Sequence, residues 1–157
     1  MANIFDYIEQ YGNIRFENKK FNEVDNIIFS MLTYLDFSRT KINDNCHSLE
    51  DIGREYLRKH TLKEARRLGI AIGTAYEVLN IIVEKDRYRH LIVSDYIYNT
   101  KRDMQFSAMT FHVMRGLKYI AFEGTDQLIS GWREDFEMAC SFPVPSHIAA
   151  TKYLNEH

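Results

Sequence analysis

Cysteine is scarce in this chain of 157 residues: there are two, Cys46 and Cys140, far apart and outside any Cys-x-x-Cys spacing. That excludes a disulfide scaffold and fits two free thiols in a reducing compartment, so a cytoplasmic location is expected. An excess of positive charge is also missing. With 20 Lys and Arg against 22 Asp and Glu the formal charge is -2, which argues against non-specific nucleic-acid binding. The N-terminus, Met-Ala-Asn-Ile-Phe-Asp-Tyr, lacks a basic region and carries Asp6 and Glu9, so no signal peptide is expected there. No hydrophobic run is long enough to span a bilayer. The most apolar stretch, Leu68 to Val83, is interrupted by Glu77 and Asn80 and reads as a buried helix.

The motifs of several chemistries are missing too. The histidines stand at 47, 60, 90, 112, 147 and 157, and no pair has the His-x-x-x-His spacing that sets two ligands on one helix face. No metal site is expected. Gly124 and Gly131 match neither nucleotide fingerprint, so no phosphate loop and no cofactor are expected. No Gly-x-Ser-x-Gly nucleophile elbow occurs anywhere. His112, in an expected strand, reads as a surface or core residue rather than a base. Glu134 and Asp135 are adjacent, so on a helix they point about 100° apart and make a poor acid/base pair.

What is present is a globular composition, 45% hydrophobic and 13% aromatic, enough for one domain over 1–157 with a single core. The period of the pattern changes along it, from a helical part, about 1–88, to a strand part, about 89–157. Asn3 to Gln10 reads as a short helix. Asn22-Glu-Val-Asp25 resembles a capping box, followed by Val24, Ile27, Ile28, Met31, Leu32 and Leu35 at helical spacing. Ser48-Leu-Glu-Asp51 opens another helix in the same manner, with Ile52, Tyr56 and Leu57 on one side. A third helical region, about 62–85, is expected to break at Gly69 or Gly73, whose spacing permits a close helix contact.

In the strand part, Leu91 to Tyr98, Phe106 to Val113 and Leu117 to Phe122 are β-branched or aromatic runs. Arg115-Gly116 between the last two predicts a hairpin at about 106–123, because glycine accepts positive φ. Asp135 to Ser141 reads as helical. Pro143 and Pro145 end that segment, and Ser146 is expected to cap a last helix.

The densest chemistry lies in "FEGTDQLISGWREDF", Phe122 to Phe136, which holds two glycines and the only tryptophan. An apolar strand runs into Gly124-Thr125-Asp126. Glycine at a strand end lets the backbone turn and frees the next amide from the ladder. A free amide beside a small hydroxyl suits an oxyanion hole, which needs donors aimed at developing charge. The plain alternative is an ordinary strand-to-loop turn.

The stretch "YIAFEGTDQLISGWREDFEMACSFPVP" resembles the oxyanion-loop region of lipase-like α/β-hydrolases, and more specifically an uncharacterised bacterial family related to the class 3 lipases. Phe122, Gly124, Thr125, Trp132 and Asp135 stand where that pattern has its aromatic, its Gly-Thr/Ser, its Trp and its Asp three residues on. "NIFDYIE", "FNEVDNIIFSMLTYLDF" and "FSAMTF" also resemble that family. One departure is Glu123, where the family usually has Arg: an acceptor replaces a five-donor cation.

The resemblance implies an α/β fold, the N-terminal part of an α/β-hydrolase, with helices and a small sheet containing the hairpin. It implies that Thr125 donates its backbone N–H to the oxyanion. Gly124 and Asp126 would then contact substrate, while Trp132 and Asp135 brace the loop. In such folds the serine, the acid and the histidine follow later in the chain. The expectation is a truncated N-terminal portion of a longer hydrolase, inactive alone, whose parent takes an ester or lipid-like small molecule. An unpaired strand edge would make the truncated chain a homo-oligomer. The other expectation, from a different class, is a complete non-catalytic module that binds a protein partner.

Overall fold

The computed structural model describes residues 3–43, 46–101, 104–123 and 145–156. Among them the chain forms six α-helices and a four-stranded antiparallel sheet. The helices are α1 (Ile4–Tyr11), α2 (Glu23–Leu32), α3 (Leu49–Lys59), α4 (Leu62–Leu68), α5 (Ile70–Ile82) and α6 (Pro145–Glu156). The strands are β1 (His47–Ser48), β2 (Ile92–Lys101), β3 (Met104–Met114) and β4 (Leu117–Phe122), paired in sequence order. This overturns the expected α/β-hydrolase arrangement, which is built on a parallel sheet. A parallel pair needs a crossover of a dozen or more residues. Here β2, β3 and β4 follow one another through short connections, so they can only run antiparallel.

Local signals in the sequence act as expected. Asn22 forms the expected capping box, with Asp25 returning the bond, and Asn3, read as the first residue of a helix, is instead its cap, with Asp6 returning the bond. Ser48 Oγ accepts from the Asp51 amide at 3.1 Å and starts α3. The helix break falls at Gly69, whose φ of 158° and ψ of 164° are essentially restricted to glycine. Gly73 lies inside α5, and a Cβ there would stand 2.8 Å from Arg66 Cγ, so α4 folds back on α5 over a glycine. The β3–β4 hairpin turns at Gly116, φ 81°. The last helix starts at Pro145, one residue before the expected cap at Ser146; proline suits the first helical turn, where its missing N–H costs nothing.

The core lies between the helices and one face of the sheet. Val93, Met109, Phe111 and Ala121 face Ile28, Phe29, Leu32, Leu79 and Ile82. Phe29 stacks on Phe111 with centroids 4.3 Å apart. The opposite face of the sheet packs Phe106, Ala108, Ile120 and Phe122 against Ala149, Ala150 and Tyr153 of α6. The expected run of apolar residues at 68–83 is buried only from Gly73 on; Leu68 and Ile70 are 68% and 76% exposed.

One buried ion pair joins the first and last parts of the helical layer. Arg87 and Asp25 are both wholly buried. Arg87 Nε donates to Asp25 Oδ1 at 2.9 Å and Nη2 to Oδ2 at 2.6 Å. Its remaining N–H groups donate to the carbonyls of Ile14, Lys19 and Lys20. All five guanidinium donors are therefore used. Asp25 also accepts from Tyr88 Oη at 2.8 Å and from the Asn22 amide at 3.1 Å. Burial first, and the Asp25 charge second, push the Tyr88 phenol above its ordinary range.

Asp25→Ala leaves a buried guanidinium without a counter-charge. It is expected to destabilise the fold by about 3–5 kcal/mol in urea unfolding followed by circular dichroism. An Asp25→Leu/Arg87→Met double variant is expected to lose clearly less than Asp25→Ala. Equal losses would show that the charge pairing itself matters little.

Candidate functional site

The residues singled out in the sequence, Gly124, Thr125, Asp126, Trp132 and Asp135, lie outside the described residues. What leads into them is described. β4 ends at Phe122, and the Glu123 amide still donates to Ser107 O at 2.9 Å, so the ladder runs to the residue before Gly124. Phe122 packs on Phe106 and on Tyr153, at 5.9 Å between centroids in each case. β3 is the only strand paired with β4 among the described residues.

The sheet holds a second polar cluster, on the face under α6. β2 carries a bulge between Ser94 and Ile97, which pair with Thr110 and Ala108. Asp95 stands in it at φ 55°, the one non-glycine residue at positive φ among those described. Aspartate tolerates that region better than most residues do. The extra residue allows Val93 and Tyr96, three apart, both to reach the helical core. There Tyr96 Oη accepts from the Phe37 amide at 2.9 Å.

On the outer side, Ser94 Oγ donates to Asp95 Oδ2 at 2.7 Å and lies 2.9 Å from His112 Nε2. Tyr153 Oη donates to Asp95 O at 2.6 Å and sits 2.8 Å from Thr110 Oγ1. Tyr153 spends its proton on the carbonyl, so Thr110 is the donor in that pair. Burial chiefly pushes the Tyr153 phenol up to about 12, against the Thr110 hydrogen bond, which lowers it.

Serine, histidine and aspartate within hydrogen-bond reach suggest an activated nucleophile. Proton accounting argues otherwise. An ionised carboxylate only accepts, and a serine hydroxyl has one proton. With that proton on Asp95, His112 Nε2 must be a donor and has no lone pair to offer as a base. In a working triad the carboxylate orients the histidine instead. Ser94 is also only 7% exposed. The cluster is therefore a directed chain, His112 to Ser94 to Asp95, that fixes the bulge beneath α6. Ser94, Asp95 and Tyr153 do not stand out in the sequence, where His112 reads as a surface or core residue. The signal for them is the polar pair Ser94-Asp95 inside an otherwise apolar and aromatic run.

Two clefts lie on the helical side. One, of 510 Å³, runs between α3 and α5 past Arg58 and Asn80. It is bridged by the Arg54–Glu84 ion pair at 2.8 Å. The other, of 530 Å³, is lined mainly by Phe5, Leu62, Tyr76 and Ile81. Neither holds a converging set of unpaired polar groups. Among the described residues there is no group of His, Cys, Asp and Glu suited to a metal ion, and no helix long and apolar enough to cross a membrane.

A family model described as Mbeg1-like matches residues 82–157. That span runs from the end of α5 through β2, β3 and β4 to the end of α6, and takes in the Gly124–Asp135 stretch. No curated protein matches the chain, and no solved structure does.

Two measurements check the cluster and the buried tyrosines. Long-range ¹H–¹⁵N spectra are expected to show His112 as the Nε2–H tautomer when neutral; an Nδ1–H tautomer would reverse the chain and restore His112 as an acceptor for Ser94. Ultraviolet titration is expected to find Tyr56 and Tyr153 ionising near about 12, both raised chiefly by burial from an ordinary value of 10.0. A raised folded value means that the folded state holds the proton more tightly. The associated stability is present below pH 10 and is lost as pH rises towards about 12. Unfolding midpoints level across that window would contradict the assignment.

Proposed function

We propose that this chain belongs to ester hydrolysis of the lipase-like kind, to which it contributes an oxyanion segment and no nucleophile. The observation that carries the reading is the hydrogen-bonded end of β4 at Phe122–Glu123, directly before Gly124-Thr125. An oxyanion role needs the amides that follow this in-register strand end to be fixed as well. Fixed donors are what stabilise developing negative charge without reorganisation. Thr125 would supply its backbone N–H, Gly124 and Asp126 would border the reacting group, and Trp132 and Asp135 would brace the loop. The substrate class is a carboxylic ester, lipid-like by resemblance alone.

The nucleophile is the missing part. The sequence has no Gly-x-Ser-x-Gly elbow. The Ser94–His112 contact points its proton toward Asp95 rather than toward a base. A non-catalytic module that binds a protein partner is the second reading. It is favoured by the single large cluster of buried residues that the described helices and one face of the sheet form together.

The 157-residue chain is expected to leave p-nitrophenyl butyrate at the buffer rate and to take up no fluorophosphonate label. Where a triad is removed from a complete site, about 10³–10⁴ over water remains, and half an oxyanion hole leaves less. Labelling at Ser94 would sink the proton assignment, and turnover blocked by the label would sink the claim that no nucleophile is present. In a longer chain or a complex that does turn over, Gly124→Val is expected to lower kcat by roughly 10²–10³, the loss of one oxyanion donor. An unchanged kcat in a folded variant would assign the chain to the interaction module.

A further inference from the structure

We propose that the α4–α5 elbow docks on an anionic lipid surface. The elbow presents two large aliphatic side chains to solvent, Leu68 at 68% and Ile70 at 76% exposed, the two most exposed of the large apolar residues described. Between them stands Gly69. The elbow is held rigidly. Gly73 packs against the Arg66 backbone and side chain, and Arg66 pairs with Glu77 at 2.6 Å, which clamps α4 to α5. A rigid tip that keeps two aliphatic residues in water gains by burying them elsewhere.

The charge around the tip selects the surface. The tip itself, residues 61–70, carries Lys63, Arg66 and Arg67 against Glu64. That is +2 in a chain of total charge -2, which leaves -4 for all other residues. Arg66 is taken up in its ion pair with Glu77. Lys63 and Arg67 are exposed and enter no ion pair among the described residues. Lys63 and Arg67 are four apart on α4 and share a face, next to Leu68. Aliphatic side chains beside two free cations match the boundary between acyl chains and acidic headgroups. Nucleic acid offers the phosphates without the apolar layer. The docking is peripheral, and it does not depend on the hydrolase reading.

The test is co-sedimentation of the whole chain with phosphatidylcholine vesicles, with and without phosphatidylserine. Wild-type protein is expected to sediment with the phosphatidylserine vesicles, less at high salt, and to stay in solution with pure phosphatidylcholine. Lys63→Glu/Arg67→Glu is expected to weaken binding by about thirtyfold or more, from roughly fivefold per cation near such a surface. Leu68→Ser/Ile70→Ser is expected to weaken it by at least about tenfold. All four side chains are exposed, and circular dichroism verifies that both variants fold. Wild-type protein that remains in the supernatant overturns the proposal. So does an aliphatic variant that sediments like wild type, since the tip would then play no part, or equal binding to both kinds of vesicle.

Discussion

The Arg87–Asp25 pair is the constraint on which the helical layer depends. A charge removed from water costs several kcal/mol unless its hydrogen bonds are replaced. Here the replacements come from three parts of the chain. The carbonyls of Ile14, Lys19 and Lys20 belong to the segment between α1 and α2, Asp25 to the first turn of α2, and Tyr88 to the turn before β2. Satisfying one guanidinium therefore fixes the path of the α1–α2 connection, the start of α2 and the entry into the sheet together. The Phe16 ring lies 3.9 Å from the Arg87 guanidinium carbon and closes the cage from the apolar side. The family match begins at residue 82 and includes Arg87, yet Asp25 lies outside it. The matched span thus relies on the N-terminal helices to neutralise its buried Arg87.

Much of the helical layer is legible in the sequence because its signals are local. Asn3, Asn22 and Ser48 cap helices where a side-chain acceptor precedes an acid by three residues, and that depends on nothing distant. Gly116 in the hairpin is equally local. The sheet arrangement escapes the sequence reading for the opposite reason. Strand direction depends on connection length and on which edge pairs next, and the resemblance to α/β-hydrolases puts a parallel sheet in place of that reasoning. The short links between β2, β3 and β4 already point to antiparallel neighbours. Hydrophobicity alone sends Leu68 and Ile70 to the core, although the break at Gly69 turns the chain outward there.

The Ser94 cluster is less legible. Asp95 meets Ser94 only because the bulge places it at φ 55°, and Tyr153 arrives from α6, 58 residues later in the chain. No spacing rule joins positions 94, 112 and 153. A bulge is a decision of the whole sheet, taken where Val93 and Tyr96 must both enter the core. The polar residue between them then has to be satisfied on the opposite face, which Ser94, His112 and Tyr153 achieve.

The same three residue types make either an active site or a structural tie, and the position of the carboxylate decides which. Bound to histidine, it raises the basicity of the ring and leaves the other nitrogen free to take a proton. Bound to serine, as Asp95 is at 2.7 Å, it accepts the hydroxyl's hydrogen bond itself and turns the histidine into a donor. The serine oxygen then has both a donor and an acceptor already in place, and no proton transfer is needed to satisfy it. Such a chain is strengthened by burial, and Ser94, its middle member, is buried. Any ester chemistry served by the end of β4 would therefore draw its nucleophile from elsewhere, with this face of the sheet holding Phe122 between Phe106 and Tyr153.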